Sequence, residues 1–169
     1  LLIDKAKIKF HDIDLILVSL GPGSFTGTRI GISVAKALSF TIKVAVIGFS
    51  NFESILHEFL ANNKTNQFKK IVVLIKGPAD EFYKKIFYKS KFYEETQIIT
   101  YNQLLKDQKS NNDVIMIGSF INNFKIKNYT YCIPDKLGMQ SLAYKNIKIK
   151  TNYYKKLDPI YVKEHYAKK

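Results

Sequence analysis

The densest run of residues able to do chemistry is Gly21-Pro22-Gly23-Ser24-Phe25-Thr26-Gly27-Thr28-Arg29-Ile30-Gly31. Glycines let a backbone turn sharply and take positive φ. The N–H groups at a helix start can hold an anion, worth about 0.3–1 kcal/mol for a single charge. Ser24 and Thr26 add hydroxyl donors, and Arg29 adds the only guanidinium in the chain. The chemistry this suggests is phosphate binding. The known phosphate motifs differ in spacing, however. A P-loop needs Gly-Lys-Ser/Thr, and here Gly27 is followed by Thr28-Arg29. A dinucleotide fingerprint needs G-x-G-x-x-G, and three residues separate Gly23 from Gly27. A nucleophile elbow around Ser24 needs glycine two residues before and two after, where Pro22 and Thr26 stand. A tight strand-to-helix connection uses the same glycines, so both readings stand at this point.

Other reactive residues are scattered. His11, His57 and His165 are not paired at metal-ligand spacing, and no metal site or catalytic residue is expected. Cys132, the single cysteine, lies in an apolar run and reads as a buried thiol. Glu94-Glu95 and Asp80-Glu81 are adjacent, and adjacent strand residues face opposite ways, so neither is an acid/base pair. Tyr153-Tyr154-Lys155-Lys156 suits either RNA stacking and phosphate contact or a solvated surface.

The elements that position these residues follow from the apolar pattern. Leu15–Leu20 is a continuous apolar run ended by glycine, read as a buried strand. Helix from about Thr26 to Phe40 follows, capped by Ser24 or Thr26. It carries small residues four apart, Gly27, Gly31, Ala35 and Ser39, and a second face of Ile30, Val34, Ala37, Leu38 and Thr41. Such a helix is buried in its own domain or shared with a partner. Val44–Ile47 predicts a second strand, and Ser50 or Asn51 caps a helix carrying Phe52, Ile55, Leu56 and Phe59. Strand, helix, strand and helix in sequence predict an α/β layer with parallel strands.

Beyond residue 60, strands are expected at Ile71–Ile75, Phe82–Tyr88, Val114–Ile117 and Tyr129–Ile133, with Ile98-Ile99 extending the meander. Short helices are expected at Asn102–Lys106 and Met139–Tyr144, and a proline-opened edge strand at Asp158–Val162. The division is into residues 1–60 and a second, basic α/β subdomain, 61–169.

The chain has 169 residues, 46% of them hydrophobic, enough to bury a core. Its net charge is +13, carried by 27 basic against 14 acidic residues. Residues 1–60 hold six basic and five acidic side chains, so the excess lies in the second half. Lys, Ile, Asn, Phe and Tyr are encoded by A/T-rich codons, so codon bias explains that excess as readily as an anionic partner does. The absence of a long apolar run argues against a membrane helix. One cysteine excludes a disulfide framework. The expected location is cytoplasmic. Leu1 to Lys7 reads as the last turns of a helix, which points to a fragment or an unusual gene start.

Gly21 to Gly31 resembles the Gly-Pro-Gly-Ser-Phe-Thr-Gly-x-Arg-x-Gly stretch of the TsaB (YeaZ) family. Asp12-Ile13-Asp14-Leu15, Val46-Ile47-Gly48-Phe49-Ser50 and Asp158-Pro159-Ile160-Tyr161-Val162-Lys163 are similar to further family stretches. The resemblance implies an actin-like ATPase/ribonuclease-H-like α/β fold. It also implies a non-catalytic assembly subunit of tRNA threonylcarbamoyladenosine synthesis, with no cofactor of its own and with ATP or ADP placed at most at a partner interface. The implied partners are the catalytic TsaD subunit and TsaE, with a homodimer as an alternative and tRNA reached indirectly. Family docking uses the first-half helices, which map here to Leu1, Leu2, Gly27, Ile30, Gly31, Val34, Ala35 and Leu38. An actin-like ATP-dependent enzyme or glycoprotease-like protein, and a basic RNA-binding module, are the competing readings. The family's opening strands, with their Ile-Asp-Thr-Ser-type segment, find no match in this sequence, so the resemblance implies a sheet missing its first strands, with an open edge. Lys76 stands where the family has Asp, and Pro78 where it has Arg, while Glu81 and Tyr83 are retained.

Overall fold

The apolar runs flanking the glycine-rich segment pair as parallel strands in the computed structural model, which describes residues 2–63, 70–88, 91–92, 95–107, 114–120, 126–148 and 157–162. Strand β1 (Leu15–Ser19) lies beside β2 (Ala45–Phe49), with Leu15 opposite Ala45 and Ser19 opposite Phe49. Helix α2 (Phe25–Ile42) is the crossover that parallel pairing requires. It ends at Lys43, which takes the left-handed conformation at φ 56°. A short helix α1 (Leu2–Ala6) and a single 3-10 turn at Phe10–Asp12 precede β1. Val18, Ile32, Ala35, Val46 and Leu157 form the small core of this layer.

The second sheet contains β3 (Lys70–Lys76), β4 (Glu81–Tyr88), β5 (Lys91–Phe92), β6 (Gln97–Thr100), β7 (Val114–Gly118) and β8 (Tyr129–Tyr131). Its order is β5-β4-β3-β7-β8, with β6 also paired to β4. The β3–β4 pair is an antiparallel hairpin, whereas β7 is parallel to both β3 and β8. Helix α3 (Asn51–Asn62) covers one face, where Phe52, Ile55 and Phe59 meet Ile71, Val73, Ile75 and Ile117. Leu104 of α4 (Tyr101–Asp107) joins Val72, Leu74, Phe82 and Met116 on the other face. Each fully buried side chain of this size contributes about 1.5–3 kcal/mol. Although α3 lies within the first sixty residues, its apolar side belongs to this second core.

Strand β4 explains why its sequence alternates poorly. Phe82 and Ile86 point into one face of the sheet, and Tyr83 and Phe87 into the other. With both faces covered, the apolar residues come in adjacent pairs instead of every second position. The lysines between them keep an ammonium near the surface: Lys85 Nζ lies 5.9 Å over the Phe52 ring.

Two expectations change more than at their ends. The helix read as Met139–Tyr144 is α5, Lys136–Lys148. The segment read as an edge strand at Asp158–Val162 is no strand. It makes one strand-like bond, Ile160 N to Leu20 O at 2.7 Å, and Pro159 has no N–H to extend a ladder. Leu1 and residues 153–156 lie outside the described residues. No helix among the described residues is long and apolar enough to cross a membrane.

Helices α3 and α5 are locked together by one carboxylate. Glu58, 6% exposed, accepts from Asp135 N at 3.0 Å and Gly138 N at 2.7 Å, and so caps α5 from the neighbouring helix. Asn62 Nδ2 donates to its other oxygen at 2.6 Å. A Cβ at position 138 would sit 2.7 Å from Glu58 N. Gly138→Ala is therefore expected to push the helices apart at a cost of about 1–3 kcal/mol, read as a lower urea midpoint. One residue before Glu58, His57 Nδ1 lies 2.8 Å from Ser141 Oγ. Burial, with help from Lys145 and against Glu53, holds the His57 pKa below its usual value. The unfolded chain then binds the proton first, so stability should fall as pH drops from about 7 through 6.5 and level off below the folded pKa. His57→Gln should flatten that part of the urea-midpoint profile.

Candidate functional site

The glycine-rich segment is a joint between β1, α2 and α3. Strand β1 delivers the chain to Gly21, which takes φ 93° and is followed by a cis Gly21–Pro22 bond. Only glycine adopts that φ without strain. The joint closes on Asn51, the first residue of α3. Asn51 N donates to Gly21 O at 2.7 Å, and Asn51 Nδ2 donates to Pro22 O at 2.9 Å. Its side-chain oxygen accepts from Ser19 Oγ at 2.7 Å, and that hydroxyl also accepts from Gly21 N at 3.2 Å.

Ser24 and Arg29 are engaged within the fold. Ser24 caps α2: its hydroxyl accepts from Gly27 N at 3.2 Å and its carbonyl from Thr28 N at 2.9 Å. Arg29 Nε donates to Tyr161 Oη at 2.9 Å, and its guanidinium lies 3.9 Å over the Phe25 ring. Thr26 is exposed. A cleft of about 370 Å³ lies between this loop, the β3–β4 turn at Lys76–Pro78 and the segment from Pro159 to Val162. Across it, Lys76 Nζ donates to Ala79 O within its own turn.

The two faces of α2 separate cleanly. Ile32, Ala35 and Ser39 are buried, with Gly31 half-buried over Val18, so the small-residue stripe lies on the helix's own sheet. Gly27 stands outside it, exposed, with Ser24 as its nearest neighbour. The opposite face carries Ile30 and Val34, 59% and 52% exposed, and Phe40 is 82% exposed. Leu38 is half-buried between the faces. Of the residues expected at a partner surface, Gly27, Ile30 and Val34 are therefore exposed, whereas Ala35 faces the core.

Cys132 is buried as expected. Its thiol donates to Ile55 O at 3.4 Å, and burial pushes its pKa up to about 11. Among the described residues, no group of three His, Cys, Asp or Glu side chains could hold a metal ion. Asn51 and Glu58 each tie distant segments together, and the sequence marked Asn51 only as an alternative cap. Apart from Asn62, four residues from Glu58, the side-chain partners named here lie 29 to 80 residues away, beyond any local pattern.

The family model for TsaD, tRNA N6-adenosine threonylcarbamoyltransferase, matches residues 1–161. The chain belongs to this family. Its relatives include TsaD and TsaB proteins alike. It is 35% identical over 75 residues to the tRNA N6-adenosine threonylcarbamoyltransferase of Clostridioides difficile, covering 44% of this chain and 22% of that protein. It is 36% identical over 70 residues to the tRNA threonylcarbamoyladenosine biosynthesis protein TsaB of Buchnera aphidicola subsp. Schizaphis graminum, covering 41% of this chain and 31% of that one. The aligned stretches thus span less than a third of these relatives. Two solved Pseudomonas aeruginosa structures have the same fold. One, a protein with similarity to peptidase YeaZ, superposes at TM-score 0.71 with 18% identity, covering 96% of this chain and 79% of that one. The other, YeaZ, superposes at 0.69 with 17% identity, covering 95% and 79%. The expected TsaB/YeaZ relationship and the actin-like ATPase/ribonuclease-H-like fold are borne out.

If Asn51 is what closes the joint, Asn51→Ala should cost about 2 kcal/mol, because Pro22 O and the Ser19 hydroxyl each lose a partner. A lowered urea midpoint with an unchanged slope is the expected reading.

Proposed function

We propose that this chain is a non-catalytic assembly subunit in tRNA threonylcarbamoyladenosine synthesis, docking on a TsaD-type catalytic subunit through the outer face of α2. The observation that carries this reading is the exposure of Ile30 and Val34, four residues apart on the face turned away from the helix's own sheet. Paired branched apolar side chains in water are the material of an interface centre. Phe40, near the end of α2, and Ile8 and Phe10, near α1, are also exposed. Kinship to TsaD and TsaB supports the same reading. TsaE and tRNA would then meet the chain only within the assembly, and any ATP or ADP would sit at the joint between subunits. A second copy of the chain competes for the same face.

Co-purification with TsaD of the same organism at low salt tests the proposal, and absence of a complex with folded protein would sink it. Ile30→Asp with Val34→Glu should weaken the complex about thirtyfold or more. The same pair should shift the urea midpoint little, since both positions are exposed.

A further inference from the structure

The segment Leu157–Val162 reaches both cores within six residues. At one end Leu157, 7% exposed, is packed with Val18, Ile32, Ala35 and Val46. At the other, Val162 packs against the core that α3 shares with β3 and β7. Between these anchors, Ile160 N donates to Leu20 O at 2.7 Å, where β1 gives way to the glycine-rich loop. Tyr161 then turns outward. Its hydroxyl accepts from Arg29 Nε at 2.9 Å, and its ring centroid lies 5.6 Å from that of Phe25. The Arg29 guanidinium is stacked on Phe25 at 3.9 Å.

We propose that Leu157–Val162 is a strap that sets how the two cores sit against each other, with Arg29, Phe25 and Tyr161 as its latch, and that releasing the latch opens the cleft beside the glycine-rich loop. The parts are suited to these roles in different ways. Burial of Leu157 and Val162 holds the ends without fixing direction, because apolar attraction is non-directional. A planar guanidinium that stacks and donates from Nε fixes position and orientation together. Leu157 is buried and Val162 half-buried, while Tyr161 is 48% and Phe25 40% exposed, so the latch can part without unfolding either core. Residues Pro159 to Val162 form one wall of the cleft, and Thr28, half-buried one residue before Arg29, also lines it.

Hydrogen exchange of individual backbone amides in the purified protein tests this, with Arg29→Gln and Tyr161→Phe as variants. Tyr161→Phe keeps the ring and removes only the hydroxyl. The Ile160 amide should exchange about tenfold faster in Arg29→Gln and a few-fold faster in Tyr161→Phe, while amides of β3 and β7 keep their rates. Thiol labelling of Thr28→Cys should also be several-fold faster when combined with Arg29→Gln. Cys132, buried and with a raised pKa, serves as the slow internal reference. Unchanged Ile160 exchange in both variants would overturn the latch. An equal rise across β3 and β7 would do the same, because it would mean a general loss of stability. Faster Ile160 exchange without faster labelling would overturn the link to the cleft.

Discussion

Three backbone and side-chain bonds from Asn51 hold the end of β1, the glycine-rich turn and the start of α3 at one point. Most of the molecule depends on that knot. The turn around Gly21 points its carbonyls away from any strand or helix ladder, and a half-buried carbonyl left without a donor is costly. Asn51 supplies the donors and at the same time begins α3. Because α3 covers one face of the second sheet, the same residue decides where that sheet's core lies relative to β1 and β2. A shift of the turn would have to be carried through α3 into Phe52, Ile55 and Phe59.

The second sheet repeats this economy with Glu58. A buried carboxylate is unfavourable unless it is hydrogen-bonded, and Glu58 is satisfied by two backbone amides of the α5 start and by Asn62. The close approach this needs is available only because residue 138 has no side chain. Asn51 ties α3 to the first layer and Glu58 ties it to α5. A single twelve-residue helix therefore joins the glycine-rich loop to α5.

Local pattern was enough for much of this fold. Leu15–Leu20 and Ile71–Ile75 are unbroken apolar runs, and Ser50 three residues before Glu53 is a capping box that starts α3 where it was expected. Strand β4 was harder because adjacent apolar pairs hide a strand buried on both faces. The strap at Leu157–Val162 resembles an edge strand in its residues, yet its bonding is set by side chains over a hundred positions away, Tyr161 to Arg29 above all. The charge excess of the second half was similarly ambiguous. Lys85 shows one way a lysine serves the fold, its ammonium resting over Phe52 at the rim of the core. The Ser24 cap of α2 was legible locally, whereas the bond from Arg29 to Tyr161, 132 residues on, was not.

The motif from Gly21 to Gly31 can now be taken residue by residue. Gly21 supplies the positive φ, Ser24 caps α2, and Phe25 with Arg29 holds Tyr161. Thr28 lies close behind Gly21, and Gly31 faces Val18. Pro22 is buried, its carbonyl bound by Asn51. These demands explain why the stretch is long and particular without assigning it a bound anion. They leave Ile30 without an internal task. A branched apolar side chain that is 59% exposed adds nothing to the core of its own helix and costs solubility. Its place beside a set of residues otherwise engaged within the fold is the strongest local reason to look outward from α2 for what covers it.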